Sequence, residues 1–183
     1  MTHTVHPYAH RLGIIRDWKS RWFGVKGLYQ KFLKQDVLVR EFLEKRLKGQ
    51  YVSSIEMERG EDSLRIIIKT SRPGMIIGRS GEGSKKLRAE VTKLFRKKKM
   101  TLPKDLKIDV EEIRSPESDA SIVGQMVGEA LEKRMPFRRV LKQTVEKVMA
   151  NRDVIGVRVV VSGRLGGAEM ARREELKRGR IPL

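Results

Sequence analysis

Residues 73–87 read PGMIIGRSGEGSKKL, a glycine-rich turn between an apolar run and a basic segment. The run before it, residues 64–69, is short and rich in β-branched side chains, which predicts a strand. Four apolar residues after it recur at helical spacing: Leu87, Val91, Leu94 and Phe95. This spacing predicts a helix with one apolar face. The chain therefore passes from a strand, through a turn containing Gly78 and Gly81, into the N-terminus of a basic helix.

The turn is a candidate phosphate-binding site. Glycine has no Cβ, so a polymer backbone can approach Gly78 and Gly81 closely. The first N–H groups of the following helix lack intrahelical partners and carry partial positive charge. Lys85 and Lys86 add two cations to the first turns of that helix. Together these features favour the binding of an anion such as phosphate.

The glycines have four possible interpretations: three kinds of phosphate-binding loop and a turn without a binding role. The Rossmann fingerprint does not fit their spacing, and a Walker A loop would need Lys before Ser, whereas Ser84 precedes Lys85. The third is the KH loop, Ile-Gly-x-x-Gly, which clamps about four backbone nucleotides. Residues 77–81, IGRSG, match it, and the loop positions are Gly78, Arg79, Ser80 and Gly81. A turn that merely connects a strand to a helix remains open on spacing alone.

The composition indicates a polyanionic partner. The chain of 183 residues has 41 Lys and Arg against 23 Asp and Glu, a formal net charge of +18. This charge favours nucleic acid first and an anionic membrane surface second. No apolar run approaches the ~20 residues that span a bilayer, and no signal peptide opens the chain. With no cysteine in addition, we expect a cytoplasmic protein without disulfides or thiolate metal sites. Aromatic residues make up only 5%, so backbone contacts should dominate RNA affinity.

The first half of the chain predicts an arm followed by helix, strand, strand, loop, helix and strand. Residues 1–16 are expected to form an extended basic arm, and residues 27–48 a helix. Residues 51–59 and the strand at 64–69 form a predicted β-hairpin. The alternating residues 106–110 predict a third strand after the basic helix.

The arm region carries every histidine and both tryptophans of the chain. The free amino terminus with His3 could chelate copper or nickel incidentally. No carboxylate or thiol joins the cluster of His3, His6 and His10, and the alternative is a basic arm lying on a polyanion. Trp18 and Trp22 alternate with basic residues, which permits base stacking. We favour the other interpretation, in which they pin the arm to the core of its own domain.

A domain boundary is predicted near residues 114–116. Ser115 can cap a new helix with Pro116 at its first position. Gly124 and Gly128 lie inside that helix, where each costs about 1 kcal/mol relative to Ala, so we expect them to allow close packing on a neighbour. The apolar residues 154–161 predict a strand later in this half.

The second half also carries two candidate RNA contacts. A helix beginning at Pro136 has an apolar inner face, and Arg138, Arg139 and Lys142 project from the other side. Clustered cations of this kind fit either a solvated face or a nucleic-acid contact. Arg164 is the cation of a glycine-rich turn that follows the predicted strand.

The sequence shows no catalytic constellation. The histidines are confined to the arm, and Glu111 and Glu112 are neighbours in a strand, where consecutive side chains point to opposite faces. We therefore expect no enzyme, no cofactor, no metal and no small-molecule substrate.

Six segments taken together resemble the bacterial ribosomal protein S three family of the small-subunit head. They are residues 7–13, 18–23, 73–81, 128–134, 137–139 and 161–169. The last, VSGRLGGAE, is far more specific than the KH loop. The order of the predicted elements also resembles the type II KH arrangement of this family.

The resemblance implies an α+β fold in three parts: a basic extended N-terminal arm (1–16), a type II KH domain (17–113) and a second two-layer α/β domain (114–183). It implies a stoichiometric ribosomal component that binds small-subunit rRNA and neighbouring head proteins. It also implies a place at the channel by which mRNA enters, where the residues matching Arg138, Arg139 and Lys142 help to unwind structured messages. The loop residues 78–81 would contact RNA backbone, and Arg164 would contact rRNA.

Two departures from the family pattern qualify these expectations. Gln143 stands where many relatives have another basic residue, which would weaken the helix patch. Family members continue beyond residues 179–183 with further strand sequence, so we expect a second sheet that lacks those strands and exposes an edge. The alternatives to a ribosomal component are a free KH-type RNA regulator or chaperone and, in another class, an NTPase or nuclease.

Overall fold

The computed structural model describes residues 5–25 and 27–181, so His3 lies outside the described residues. The first half contains the elements α1 (Pro7–Arg11), β1 (Ser20–Arg21), α2 (Gly27–Arg46), β2 (Val52–Arg59), β3 (Ser63–Thr70), α3 (Pro73–Ile77), α4 (Glu82–Lys97) and β4 (Asp105–Glu112). The second half contains α5 (Ala120–Glu132), α6 (Phe137–Met149), β5 (Gly156–Gly163) and β6 (Arg172–Gly179). None of the described helices is long and apolar enough to cross a membrane.

The first sheet has the order β1-β2-β3-β4. Strands β2 and β3 form the predicted antiparallel hairpin, and β4 runs parallel to β3 with Ile66 beside Ile108. Sequence analysis missed β1, which has only two residues and runs parallel to Met57 and Glu58 of β2. Two residues are too few to show an alternating pattern.

Helices α2 and α4 supply the helical layer over this sheet. Val39 and Leu43 of α2 are fully buried, and so are Val91 and Phe95 of α4. They share one apolar cluster with strand residues that include Ile66. Burying one such side chain contributes about 1.5–3 kcal/mol, so this cluster fixes α4 and the loop before it.

A buried polar network ties the arm region to this domain. The Trp22 Nε1–H donates to Asp36 Oδ2 at 2.6 Å, and Trp22 packs on the rings of Tyr29 and Phe32. Asp36 also pairs with Arg59 across 2.8 Å, and the two side chains are 1% and 6% exposed. Trp22 therefore anchors the segment as predicted, whereas Trp18 is 61% exposed.

The structure differs from the predicted extended arm at residues 7–11, which form a single helical turn. Pro7 occupies the first turn, where its missing N–H costs nothing. His6 stays outside the helix and its Nδ1 accepts the Tyr8 N–H at 3.1 Å.

In the second half, α5 and α6 lie against the antiparallel pair of β5 and β6, which gives the expected two layers. The predicted start of α5 was wrong. Ser115 precedes only a short 3₁₀ turn, and the helix begins at Ala120 because the Asp119 carboxylate accepts the N–H groups of Ser121 and Ile122. An acceptor for two otherwise unpaired donors makes Asp119 the stronger cap.

One further expectation for this half, close packing at Gly124 and Gly128, was wrong, since a Cβ at either position would meet no atom of a neighbouring element within 4 Å. Among the described residues, the second sheet contains β5 and β6 only. Sequence analysis missed β6. Only Glu174 and Leu176 of this strand are partly buried, so its sequence is a charged run without the alternating apolar pattern of a strand.

Hydrogen bonds join the two halves. The Tyr51 hydroxyl donates to Glu129, the Ser53 hydroxyl donates to Asp119, and the Gln125 side chain donates to the Val52 carbonyl at 2.7 Å. The Lys133 ammonium and the Tyr51 hydroxyl hold the pKa of Glu129 below its ordinary value. The Glu129 carboxylate in turn raises the pKa of Tyr51.

The buried pair of Asp36 and Arg59 yields a prediction for stability. Replacing Asp36 by Ala leaves the Arg59 guanidinium buried without its carboxylate, so we expect a loss of about 3–5 kcal/mol in the free energy of unfolding. The control is Asp62→Ala, which removes the exposed pair with Lys104 and should cost less than about 1 kcal/mol. Urea denaturation of both variants measures the difference, and equal losses would contradict the role assigned to the buried pair.

Candidate nucleic-acid interface

The predicted phosphate loop reverses the chain between α3 and α4 through three residues with positive φ. These are Gly78 at +70°, Ser80 at +52° and Gly81 at +76°. Glycine adopts such angles without strain, and short polar residues such as serine tolerate them at moderate cost. The Gly78 N–H donates to the Gly74 carbonyl at 3.0 Å and closes α3 at the start of the loop.

A third glycine, Gly83, is needed for close packing, a role that sequence analysis did not assign to it. A Cβ at Gly83 would lie 2.4 Å from the Ile76 carbonyl oxygen and 2.9 Å from that of Ile77. The first turn of α4 therefore crosses the end of α3 with backbone against backbone. The signal in the sequence was a glycine at the second position of a helix, where Ala would otherwise be more stable.

The loop presents exposed backbone and one cation to solvent. Gly78, Arg79 and Ser80 are exposed, and the N-cap Gly81 has no side chain to accept the first N–H groups of α4. Among the described carboxylates, none pairs with Arg79. The nearest acid in sequence is Glu82, which lies 3.6 Å from the Lys86 ammonium. The loop and Lys85 therefore form a cationic, donor-rich end of α4, which is suited to a phosphate.

The geometry of the loop does not support the Walker A alternative. The Ser84 hydroxyl donates to the Gly81 carbonyl at 2.8 Å and so stabilises the loop itself. Nor is there a metal centre in the parts of the chain that are described, 5–25 and 27–181, where no three His, Asp or Glu side chains converge.

The second predicted patch lies on α6. Val140, Leu141, Val145 and Val148 are buried, which confirms the predicted inner face. Arg138, Arg139 and Lys142 are exposed on the other side, as the spacing indicated. Arg138 lies 3.6 Å from Glu174, which partly neutralises it. Arg139 and Lys142 pair with none of the described carboxylates.

The turn that carries Arg164 lies beside the start of α6. Leu165 and Phe137 both pack against the second apolar cluster, and a Cβ at Gly166 would lie 3.9 Å from the Phe137 ring. The Arg164 Nε donates to the Ala168 carbonyl at 3.0 Å, so part of this side chain holds its own turn together.

Arg172 is a member of this second surface that sequence analysis did not single out. Its guanidinium lies 5.6 Å from the centre of the Phe137 ring, and that of Arg138 lies 5.7 Å from the same ring. The only signal was its place in the basic run 171–180. The structure thus brings Arg138, Arg164 and Arg172 to one end of α6, whereas the loop at 78–81 belongs to the first half.

Two family models match the chain. The model described as KH domain matches residues 38–118, and the model described as ribosomal protein S3, C-terminal domain, matches residues 127–183.

Curated relatives are similar to the whole chain. Small ribosomal subunit protein uS3 of Endomicrobium trichonymphae is 45% identical over all 183 residues, which cover 75% of that relative. The protein of the same name from Caldicellulosiruptor bescii is 42% identical, with 79% of it covered. That of Xanthomonas oryzae pv. oryzae is 44% identical, with 72% covered.

The crossing at Gly83 yields a prediction. Gly83→Ala places a methyl group against the Ile76 carbonyl, so we expect a loss of about 1–3 kcal/mol in the free energy of unfolding. Gly124→Ala is the matched control: it meets open space inside a helix and should stabilise by up to about 1 kcal/mol. Thermal or urea denaturation measures both, and a neutral Gly83→Ala would show that α4 can move off α3 freely.

Proposed function

The chain belongs to the family of small ribosomal subunit protein uS3, and we therefore propose that it is a structural, RNA-binding constituent of the small ribosomal subunit. The observation that carries the proposal is similarity along all 183 residues to relatives of that name. Those relatives are named as a ribosomal protein, so the role is not enzymatic. On the ribosome, the protein would reside in the cytoplasm.

The domain organisation is part of the proposal. We place an arm at residues 1–16, a KH domain at 17–113 and a second domain at 114–183. The two family matches, 38–118 and 127–183, support a division in this region, as do the separate apolar clusters of the two halves. The matched descriptions, a KH domain and a C-terminal S3 domain, confirm the predicted fold class.

Small-subunit rRNA is the principal partner in this proposal, with neighbouring proteins of the subunit head. The formal net charge of +18 supports a polyanionic partner. The Gly78–Gly81 loop supports a contact with RNA backbone, because its glycines leave space and no side chain caps the N-terminus of α4. Arg164 and its turn form a second rRNA contact.

We also assign Arg138, Arg139 and Lys142 to the channel by which mRNA enters the subunit. These three side chains are exposed on one side of α6, and the opposite face of the helix is buried. The buried face holds α6 in place, so the cations form a fixed surface past which a strand of mRNA could move. Fixed cations on the path of a message would hold its phosphates.

Sedimentation tests the central proposal. The protein in clarified lysate of its source cells should migrate with small subunits, in about one copy each, at low and high salt. A mostly free pool, or one bound to small heterogeneous RNAs, would contradict the ribosomal role and favour a free KH-type regulator.

If the loop at residues 78–81 contacts phosphates, introducing carboxylates there should lower the affinity for RNA. Arg79→Asp with Ser80→Asp should weaken binding to a single-stranded RNA at least about tenfold at moderate salt, or about 1.4 kcal/mol. The control variant Gln30→Asp with Lys31→Asp makes the same change in net charge on exposed positions of α2. Filter binding compares the two, and equal affinities would remove the loop from the mechanism.

The α6 patch predicts an effect on structured messages. Replacing Arg138, Arg139 and Lys142 together by Ala should slow translation through mRNA hairpins while subunits still assemble, because the substituted side chains are exposed. The control is a variant of α2 in which Lys31, Lys34 and Lys45 are replaced by Ala. Equal rates on structured and unstructured messages in the α6 variant would contradict the role.

A further inference from the structure

Helix α4 carries a cationic groove that the loop function does not use. Its buried face is formed by Leu87, Val91 and Phe95. Away from that face, exposed side chains of the same helix border a shallow depression that is largely open to solvent. Six residues line it: Lys85, Arg88, Ala89, Thr92, Lys93 and Arg96. At 100° per residue these positions span about 140° of the helix surface, so they form one face, called here the α4 groove.

The charge of the α4 groove is largely uncompensated. Of its four cations, Arg88 alone contacts a described carboxylate, that of Asp105 at 3.8 Å, and both side chains are about half exposed. The other acids of α4 are engaged elsewhere, Glu90 with Arg46 at 2.9 Å and Glu82 with Lys86. Four cations along about 16 Å of one helix repel one another, and an anionic ligand offsets that repulsion.

The side chains between the cations indicate how the ligand is contacted. Ala89 and Thr92 are small and leave room for a bulky backbone, and the Thr92 hydroxyl already donates to the Arg88 carbonyl at 2.9 Å. The one aromatic residue of α4, Phe95, is fully buried, so the groove offers no ring on which a base could stack. Recognition here must rest on phosphates.

A straight, rigid helix face without stacking groups fits RNA whose bases are paired and turned inward. Double-stranded RNA is recognised mainly through its shape and its backbone, whereas single strands are held by stacking and base contacts. An acidic protein segment is the less suitable ligand, because the cores of protein interfaces are depleted of charge and rich in aromatic residues.

We propose that the α4 groove binds the backbone of double-stranded RNA, separately from the loop at residues 78–81. This inference rests on the proposed RNA-binding function. It adds a second RNA-binding surface and states that this surface binds double-stranded RNA. The protein would then hold a duplex along α4 while the loop takes an unpaired strand at the N-terminus of the same helix.

The test removes three cations of the groove and leaves Lys85, beside the loop, in place. The groove variant is the full chain with Arg88→Gln, Lys93→Gln and Arg96→Gln. The control variant has the same net charge and carries Lys31→Gln, Lys34→Gln and Lys45→Gln on α2. The probes are a 20-base-pair RNA duplex and a 12-nucleotide single strand, each titrated over a range of salt concentrations.

We expect the groove variant to bind the duplex more weakly, with a slope of log K against log salt that is smaller by about 2.7, since each phosphate contact contributes about 0.9. The control variant should keep the wild-type slope. Single-strand binding should change equally in the two variants, because only the general loss of charge affects it.

Three results would overturn the inference. One is an unchanged duplex slope in the groove variant, and another is an equal loss in the control. The third is unchanged duplex binding together with poor incorporation into small subunits, which would assign the groove to a protein partner. Failure of the proposed function is distinguishable, since a wild-type protein that is absent from small subunits would overturn that function whatever the duplex result.

Discussion

The backbone contact between α3 and α4 at Gly83 is the constraint on which the candidate interface depends. Because the first turn of α4 lies against the Ile76 carbonyl, only glycine fits, and the direction of α4 is fixed at its first turn. The chain enters α4 through positive φ angles at Gly78, Ser80 and Gly81, and Gly81 offers no side chain to cap the helix. The buried residues of α4 then determine which cations face outward.

The distribution of acids explains how a chain with so many cations folds stably. Several carboxylates are used within the sheet, where Glu58 bonds Arg21 and Asp109 bonds Arg65. The Arg21 guanidinium lowers the pKa of Glu58, so this pair stays charged over the neutral range. Such pairs compensate cations of the sheet face, whereas cations that pair with none of the described carboxylates lie on the loop, on α4 and on α6, and also on α2. Stability and RNA binding therefore draw on different groups.

Periodicity in the sequence was enough to predict α2, α6, the β2–β3 hairpin and β4, because each buries one continuous apolar face. Spacing also indicated the exposed cations of α6, and the family resemblance added the fold class. Local chemistry was less reliable: Ser115 with Pro116 matches a helix start, yet Asp119 caps two donors and determines where α5 begins. Strand β6 was missed because most of its side chains are exposed and charged. The packing role of Gly83 and the place of Arg172 beside Phe137 depend on contacts between distant elements, which no local pattern records.

The hydrogen bonds between the halves have a consequence for how the molecule engages a long polymer. Tyr51 with Glu129 and Ser53 with Asp119 join two units whose apolar clusters are separate. In the proposed function each unit carries its own cationic surface, so the protein would act as a bivalent ligand with a short tether. Once one surface is bound, the other would meet its site at an effective concentration in the millimolar range. Modest affinity at each surface would then suffice for long residence, and either surface could release and rebind without loss of the whole protein.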